Sequence, residues 1–99
     1  MPEHHRQERI FTEDIEDLVR KIFSGFSRPY PEDITDQVFL AIENNPEYLR
    51  LYRLYSGQNT NGANAMIGKM VKELTGLKVK GTCRNPQATL IKTYTKLGY

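Results

Sequence analysis

Apolar residues recur at helical spacing in five stretches of this sequence, and proline, glycine or asparagine separates each stretch from the next. Positions three and four residues apart share one face of an α-helix, so every stretch predicts a short amphipathic helix. Such helices are stable mainly when their apolar faces pack together. The five predicted helices span residues 12–26, 31–44, 46–55, 63–75 and 86–97. We therefore expect an all-α fold, a compact single-domain array of about five short helices, with room for one short strand near residues 77–80.

Residues at the ends of these stretches support the predicted boundaries. Asn45-Pro46 and Asn85-Pro86 both have the form of a helix N-cap followed by proline in the first turn. Gly76 precedes a hydrophobic residue, as at many helix C-termini. The third helix is apolar around most of its circumference, which is typical of a central helix. The last helix is predicted to bury one apolar face, made of Leu90, Ile91, Tyr94 and Leu97.

The length of the chain limits it to one domain. With 99 residues, it is long enough for one hydrophobic core and too short for two. The polar residues 1–10 are expected to form a flexible N-terminal arm, and residues 11–99 a single helical domain. No apolar run reaches the roughly 20 residues of a membrane-spanning helix, and the first residues lack the pattern of a signal peptide. These features predict a cytoplasmic protein without membrane contact.

Charge is distributed unevenly along the chain, although the formal net charge is only +2. Residues 1–49 contain five basic and eleven acidic side chains, a net charge of −6, whereas residues 50–99 contain nine basic and one acidic, a net charge of +8. Such asymmetry indicates an anionic partner, nucleic acid above all. Part of it has a simpler origin, because acids favour the N-terminal ends of helices. The acids of the first two helices fit that explanation, but the basic residues of the 78–84 segment do not.

These patterns predict a small, regulatory nucleic-acid-binding protein that uses a basic C-terminal face. The basic 78–84 segment leads into the predicted helix 86–97, whose N-terminus would attract an anion. The predicted contact residues are basic or hydroxyl-bearing: Lys78, Lys80, Arg84, Thr89, Lys92 and Lys96, with Lys69, Lys72, Arg50 and Arg53 beside them. Most of them would contact phosphates. The candidates for base contacts are Thr89, Lys92, Thr93 and Lys96. The partner would be DNA in preference to RNA.

The same charge pattern allows a different class of protein. A non-catalytic protein-interaction or self-associating adaptor module could use complementary acidic and basic surfaces, and its partner could be an acidic protein surface or a second copy. Its exposed contacts would be the apolar residues that lie off the main stripes, Leu49, Leu54 and Met66. One observation separates the two hypotheses. If the nine basic residues after residue 49 form one contiguous face without Asp or Glu, nucleic acid is favoured. If acids of the first two helices interleave with them, the asymmetry is internal pairing and the interaction module is favoured.

No set of residues in the sequence predicts catalysis, a cofactor or a metal site. Cys83 is the single cysteine, and the only histidines, His4 and His5, lie in the predicted arm, far along the chain from it. Two adjacent histidines without further ligands are a weak metal signal. Gly68-Lys69 lacks the serine or threonine that completes a phosphate-binding loop. We therefore expect a protein that is not an enzyme.

Overall fold

Four helices and one pair of antiparallel strands make up the computed structural model, which describes residues 2–57, 59–87 and 90–99, with side chains from residue 13 onward. The elements are α1 (Pro2–Phe23), α2 (Ile34–Asn44), α3 (Pro46–Ser56), α4 (Thr60–Thr75), β1 (Lys78–Arg84) and β2 (Thr93–Gly98). The protein therefore has a small mixed α/β fold, and the prediction of an all-α array of five helices is wrong.

The predicted helix 86–97 is absent, because its C-terminal half forms strand β2. The apolar residues of this segment fit a helical spacing. The segment from Thr93 to Leu97, however, also contains threonine and tyrosine, which favour strands. Strand β1 supplies an antiparallel partner, so pairing between strands replaces the helix. The short strand that the sequence allowed near residues 77–80 is the beginning of β1, which continues to Arg84.

Asn85 shows how a correct local signal led to a wrong element. Its side-chain oxygen accepts a hydrogen bond from the backbone N–H of Gln87 at 2.9 Å, as an N-cap residue would. The chain then makes a turn. Such bonds also form Asx turns, in which no helix follows.

Helix α1 differs from its prediction at both ends. It begins at Pro2, ahead of the predicted start at residue 12, and it ends at Phe23, ahead of the predicted end at residue 26. The prediction of a flexible arm over residues 1–10 falls on side chains that the structure does not describe, and it stays a prediction.

The core lies between the four helices and the hairpin. Each of the four helices contacts the other three, so these contacts do not single out α3 as the central helix, and only its Tyr52 and Ser56 are buried. Helix α2 also packs against β2. Buried apolar side chains come from every element except β1: Ile15, Leu18, Val19, Ile22, Ile34, Val38, Phe39, Ile42, Tyr52, Ala63, Ile67, Val71, Leu77, Ile91 and Leu97. Of the face predicted for the fifth helix, Leu90 and Tyr94 are only half-buried.

Two predicted helix ends are confirmed. The side chain of Asn45 accepts hydrogen bonds from the backbone N–H groups of Glu47 and Tyr48, at 3.0 and 3.2 Å, and so caps α3. Gly76 ends α4 with a φ of +69°, in the left-handed region that favours glycine. The following Leu77 is buried, as the hydrophobic contact of this kind of C-terminus requires.

The register of the hairpin gives it two distinct faces. Directly opposed residues of an antiparallel pair place their side chains on the same side of the sheet. One side, which we call the groove face, carries Thr82, Arg84, Thr93 and Thr95. The other side, which we call the Glu32 face, carries Cys83, Tyr94 and Lys96. Lys80 is the additional residue where the register shifts, between Val79 and Gly81.

Glu32 attaches the open end of the hairpin to the segment before α2. Its carboxylate lies 3.2 Å from Nζ of Lys80 and 3.1 Å from Nζ of Lys96. The backbone N–H of Leu97 donates a hydrogen bond to the carbonyl of Glu32 at 3.0 Å. Both strands are thus attached to one residue of the acidic half of the chain.

This cluster shifts the titration of its members. Hydrogen bonds from Lys96 and then Lys80 lower the pKa of the Glu32 carboxyl below its ordinary value of 4.5. The same contact raises the pKa of Lys96 above its ordinary value of 10.5. The contribution of Glu32 to stability is therefore present above pH 4.5 and is lost as the pH falls through the lowered pKa. The contribution of Lys96 to stability is present below pH 10.5 and is lost as the pH rises through the raised pKa of Lys96.

Glu32→Gln is expected to lower the urea midpoint slightly at pH 7, because exposed ion pairs contribute little to stability. The difference from the wild type should shrink as the pH falls through the lowered pKa of Glu32 and as it rises through the raised pKa of Lys96. Urea unfolding over a pH series that extends to both sides of neutrality measures both changes. Glu47→Gln is the control, because its partner Arg50 lies 3.9 Å away on an exposed helix face. A difference for Glu32→Gln that stays constant with pH would contradict the assignment.

Candidate nucleic-acid interface

Three residues, 57–59, separate α3 from α4 in the sequence. Gly57 ends α3 with a φ of +53°, and the side chain of Asn59 caps α4 by accepting a hydrogen bond from the backbone N–H of Gly62 at 2.9 Å. This cap places the start of α4 at Thr60, ahead of the predicted residue 63. Connections of three or four residues also join the two helices of a helix-turn-helix, which cross at about 90–120°.

Helix α4 buries one face and exposes the other. The buried side chains are Ala63, Ile67, Val71 and Thr75. The exposed residues of the first three turns are small, polar or basic, apart from one methionine: Thr60, Asn61, Gly62, Ala65, Met66 and Lys69. The one acid of the helix, Glu73, lies in its last turn. Most of the exposed face can therefore approach a polyanion without repulsion between like charges.

A groove separates α4 from the hairpin. One part has a volume of about 520 Å³ and lies between the groove face of the hairpin and the side of α4 that carries Ala65 and Gly68. Past Asn64 it continues into a hollow of about 590 Å³ at the N-terminal end of α4. We call the two together the α4–hairpin groove. Its polar and charged lining residues include Asn61, Asn64, Lys69, Lys72, Lys92, Thr93 and Thr95.

All charged residues that line the α4–hairpin groove are lysines, namely Lys69, Lys72 and Lys92. Within the described part of the chain, none of the three has an ion-pair partner. The acids lie at other places. Glu16 and Glu73 line another groove, between α1 and α4, which Lys69 also lines from its other side, and Glu32 lies on the opposite face of the hairpin. The groove is therefore a basic surface free of acids, whereas the other side of the hairpin is internally paired.

Asn64 connects three elements beside this groove. Its side-chain oxygen accepts a hydrogen bond from the hydroxyl of Tyr52 in α3 at 2.6 Å. Its side-chain nitrogen donates to the backbone carbonyl of Leu90, in the loop of the hairpin, at 3.2 Å. Burial raises the pKa of Tyr52, and the bond to Asn64 opposes that rise. The hydroxyl thus stays protonated as a donor, and the loop of the hairpin is held at a fixed position along α4.

Three of the predicted contact residues line the α4–hairpin groove. Lys69 and Lys72 line its part beside Gly68, and Lys92 lines its part at the N-terminal end of α4. Arg84 is exposed on the groove face, opposite Thr93. Lys80 and Lys96 instead pair with Glu32, away from the groove.

The remaining predicted residues lie apart from the groove or outside the description. Lys78 is exposed at the open end of the hairpin, opposite Gly98. Arg50 is exposed in α3 beside Glu47, and Arg53 is exposed in the last turn of the same helix. Thr89 lies outside the described residues.

Several residues that line the groove are not among the predicted contact residues, and Asn61, Asn64 and Gly68 are three of them. Asn61 precedes the predicted start of α4 at residue 63, because the N-cap at Asn59 is not evident from the sequence, whereas Asn64 lies in the first predicted turn. An asparagine followed by a glycine three residues later carries no apolar signal, so periodicity alone cannot locate this helix start. Gly68 carried a usable signal, since glycine inside an amphipathic helix is unfavourable and calls for a reason.

The nine basic residues after residue 49 do not form one face without acids, because Lys80 and Lys96 pair with Glu32 and Arg50 pairs with Glu47. The alternative of a protein-interaction module therefore stays a prediction. Leu54 and Met66 are exposed, at 46% and 42%, whereas Leu49 is half-buried. Cys83 is half-buried on the Glu32 face. His4 and His5 lie among the residues whose side chains are not described. The described side chains include no group of three His, Cys, Asp or Glu that could hold a metal ion.

Within the described residues, no helix combines the length and the apolarity that a membrane crossing needs. No protein-family model, curated protein or solved structure matches the chain. A function is therefore argued from the geometry and charge of the α4–hairpin groove.

Proposed function

We propose that this protein binds double-stranded DNA with the exposed face of α4 and the α4–hairpin groove. The observation that carries the proposal is the charge of the groove, which is lined by three lysines and by no acid. Lysines without internal partners can neutralise phosphates and release the counterions bound to them, and this release supplies a large share of the affinity for DNA.

The arrangement of the helices supports a duplex as the ligand. An α-helix with its side chains is about 10–12 Å wide, and the major groove of B-DNA is about 12 Å wide. With α4 in that groove, the exposed residues of its first turns would lie near base edges. Lys72 and Lys92 would then contact phosphates beside the groove. The major groove of double-stranded RNA is too narrow for a helix, which favours DNA.

The double variant Lys69→Ala/Lys72→Ala is expected to weaken binding to a mixed-sequence DNA duplex of roughly 20 base pairs, about two helical turns. If both lysines contact phosphates, the slope of log K against log salt should fall by about 1.8, since each phosphate contributes about 0.9. The free energy of unfolding should change by less than about 0.5 kcal/mol, because both side chains are exposed. Fluorescence anisotropy over a salt series and urea unfolding measure the two effects.

The matched control is Lys21→Ala/Arg50→Ala, which also removes two positive charges, but from exposed positions on α1 and α3. It should leave the salt slope almost unchanged. Equal slopes for the two double variants would show that net charge alone governs binding. A wild-type protein that shows no salt-dependent binding to the duplex, or that binds single-stranded DNA or double-stranded RNA more tightly, would refute the proposal.

A further inference from the structure

Gly68, in the middle of α4, has no evident role in the fold. Its φ is not in the left-handed region, so the backbone does not require glycine. A Cβ placed at this position would meet no atom within 4 Å, so packing does not require glycine either. Glycine inside a helix is less stable than alanine, because it loses more backbone freedom on folding. The residue therefore lowers stability without a structural reason.

The open space beside Gly68 belongs to the α4–hairpin groove. Lys69 and Lys72 stand beside it on α4, and Thr93 and Thr95 face it from the hairpin. Ammonium and hydroxyl groups are the common side-chain partners of phosphate and sugar oxygens in DNA complexes. The missing side chain thus leaves room between two sets of phosphate-binding groups.

We infer that the sugar–phosphate backbone of one DNA strand lies in the α4–hairpin groove and comes closest to the protein at Gly68. This inference rests on the proposed function and adds the path of the strand to it. Glycine allows the closest approach between a helix and another backbone, since no Cβ stands between them. A methyl group would project about 1.5 Å into this space and move the strand away from Lys69 and Lys72.

Gly68→Ala is therefore expected to improve folding and to weaken binding. The thermal midpoint should rise by about 2–8 °C, because alanine favours the helix and fits without a clash. The dissociation constant for duplex DNA should rise about tenfold, which corresponds to about 1.4 kcal/mol. The salt slope should fall by about 0.9, as for the loss of one phosphate contact. Gly68→Met, with a longer side chain, should weaken binding further.

The matched control is Asn44→Ala, which also increases helix propensity but lies at the exposed C-terminal end of α2, outside the lining of the groove. It should leave the dissociation constant unchanged. A Gly68→Ala protein whose dissociation constant rises threefold or more, while that of the control does not, supports the inference. A smaller rise overturns it, even when the wild type binds DNA as proposed. Absence of salt-dependent DNA binding by the wild type refutes the proposed function itself.

Discussion

Replacing Phe39 with alanine is expected to lower the free energy of unfolding by about 3–5 kcal/mol. Phe39 is the largest fully buried side chain among the described residues, with 1% exposure, and it lies in α2, which packs against α4 and β2. Its removal leaves a cavity between these elements that the backbone can close only in part. Small domains have a total stability of about 5–15 kcal/mol, so the loss is a large share of it. Urea unfolding followed by far-ultraviolet circular dichroism measures the change.

Leu54→Ala is the control for this prediction, because Leu54 is 46% exposed on α3. Its truncation should cost less than about 1 kcal/mol, since much of the side chain already contacts water. Equal losses for the two variants would mean that Phe39 does not lie in a tightly packed core.

Asn64→Ala is expected to destabilise the protein by about 2–3 kcal/mol. The substitution removes the acceptor of the Tyr52 hydroxyl and the donor to the Leu90 carbonyl. A partly buried polar group that loses its partner costs about 1–3 kcal/mol, more than the net contribution of the hydrogen bond itself. Under the proposed function the variant also binds DNA more weakly, because the loop of the hairpin, with Lys92, is no longer held beside α4.

A double-mutant cycle with Tyr52→Phe isolates one of the two bonds. Tyr52→Phe removes the hydroxyl and should cost about 1 kcal/mol. The double variant should then be more stable than the sum of the single effects predicts, because the two residues share one hydrogen bond. Asn61→Ala removes an exposed amide from the same helix and should change stability by less than about 0.5 kcal/mol. Strict additivity of Tyr52→Phe and Asn64→Ala would contradict the described contact.

The two Asn-Pro pairs show how far local signals predict this fold. Asn45 and Asn85 both accept a hydrogen bond from the backbone two residues later. After Asn45 the chain continues with glutamate, leucine and arginine, which favour helices, and α3 forms. After Asn85 it continues with threonine, isoleucine and tyrosine, which favour strands. The periodicity of that last segment fits a helix and a strand alike, so its pairing with β1 across the hairpin loop decides which of the two forms. Such pairing is not visible in the pattern of one segment taken alone.

The sequence predicts that the candidate site is a basic surface, but not which lysines form it. The excess of basic residues after residue 49 indicated a basic surface, and three of those lysines line the α4–hairpin groove. The sequence could not separate them from Lys80 and Lys96, because the acid that pairs with these two lies far away along the chain, at Glu32. A lysine at the surface of a folded chain is available to a ligand only when no acid from another element reaches it.

The hairpin is attached to the helices at both of its ends, by Glu32 at the open end and by Asn64 at the loop. A two-stranded hairpin by itself is marginally stable in water. With both ends fixed, the strands cannot swing away from α4 unless contacts to the helical part break as well. The hairpin and the helices therefore open as one cooperative unit. A ligand that enters between them meets a wall that is already ordered, so little conformational entropy of the hairpin is lost when it binds.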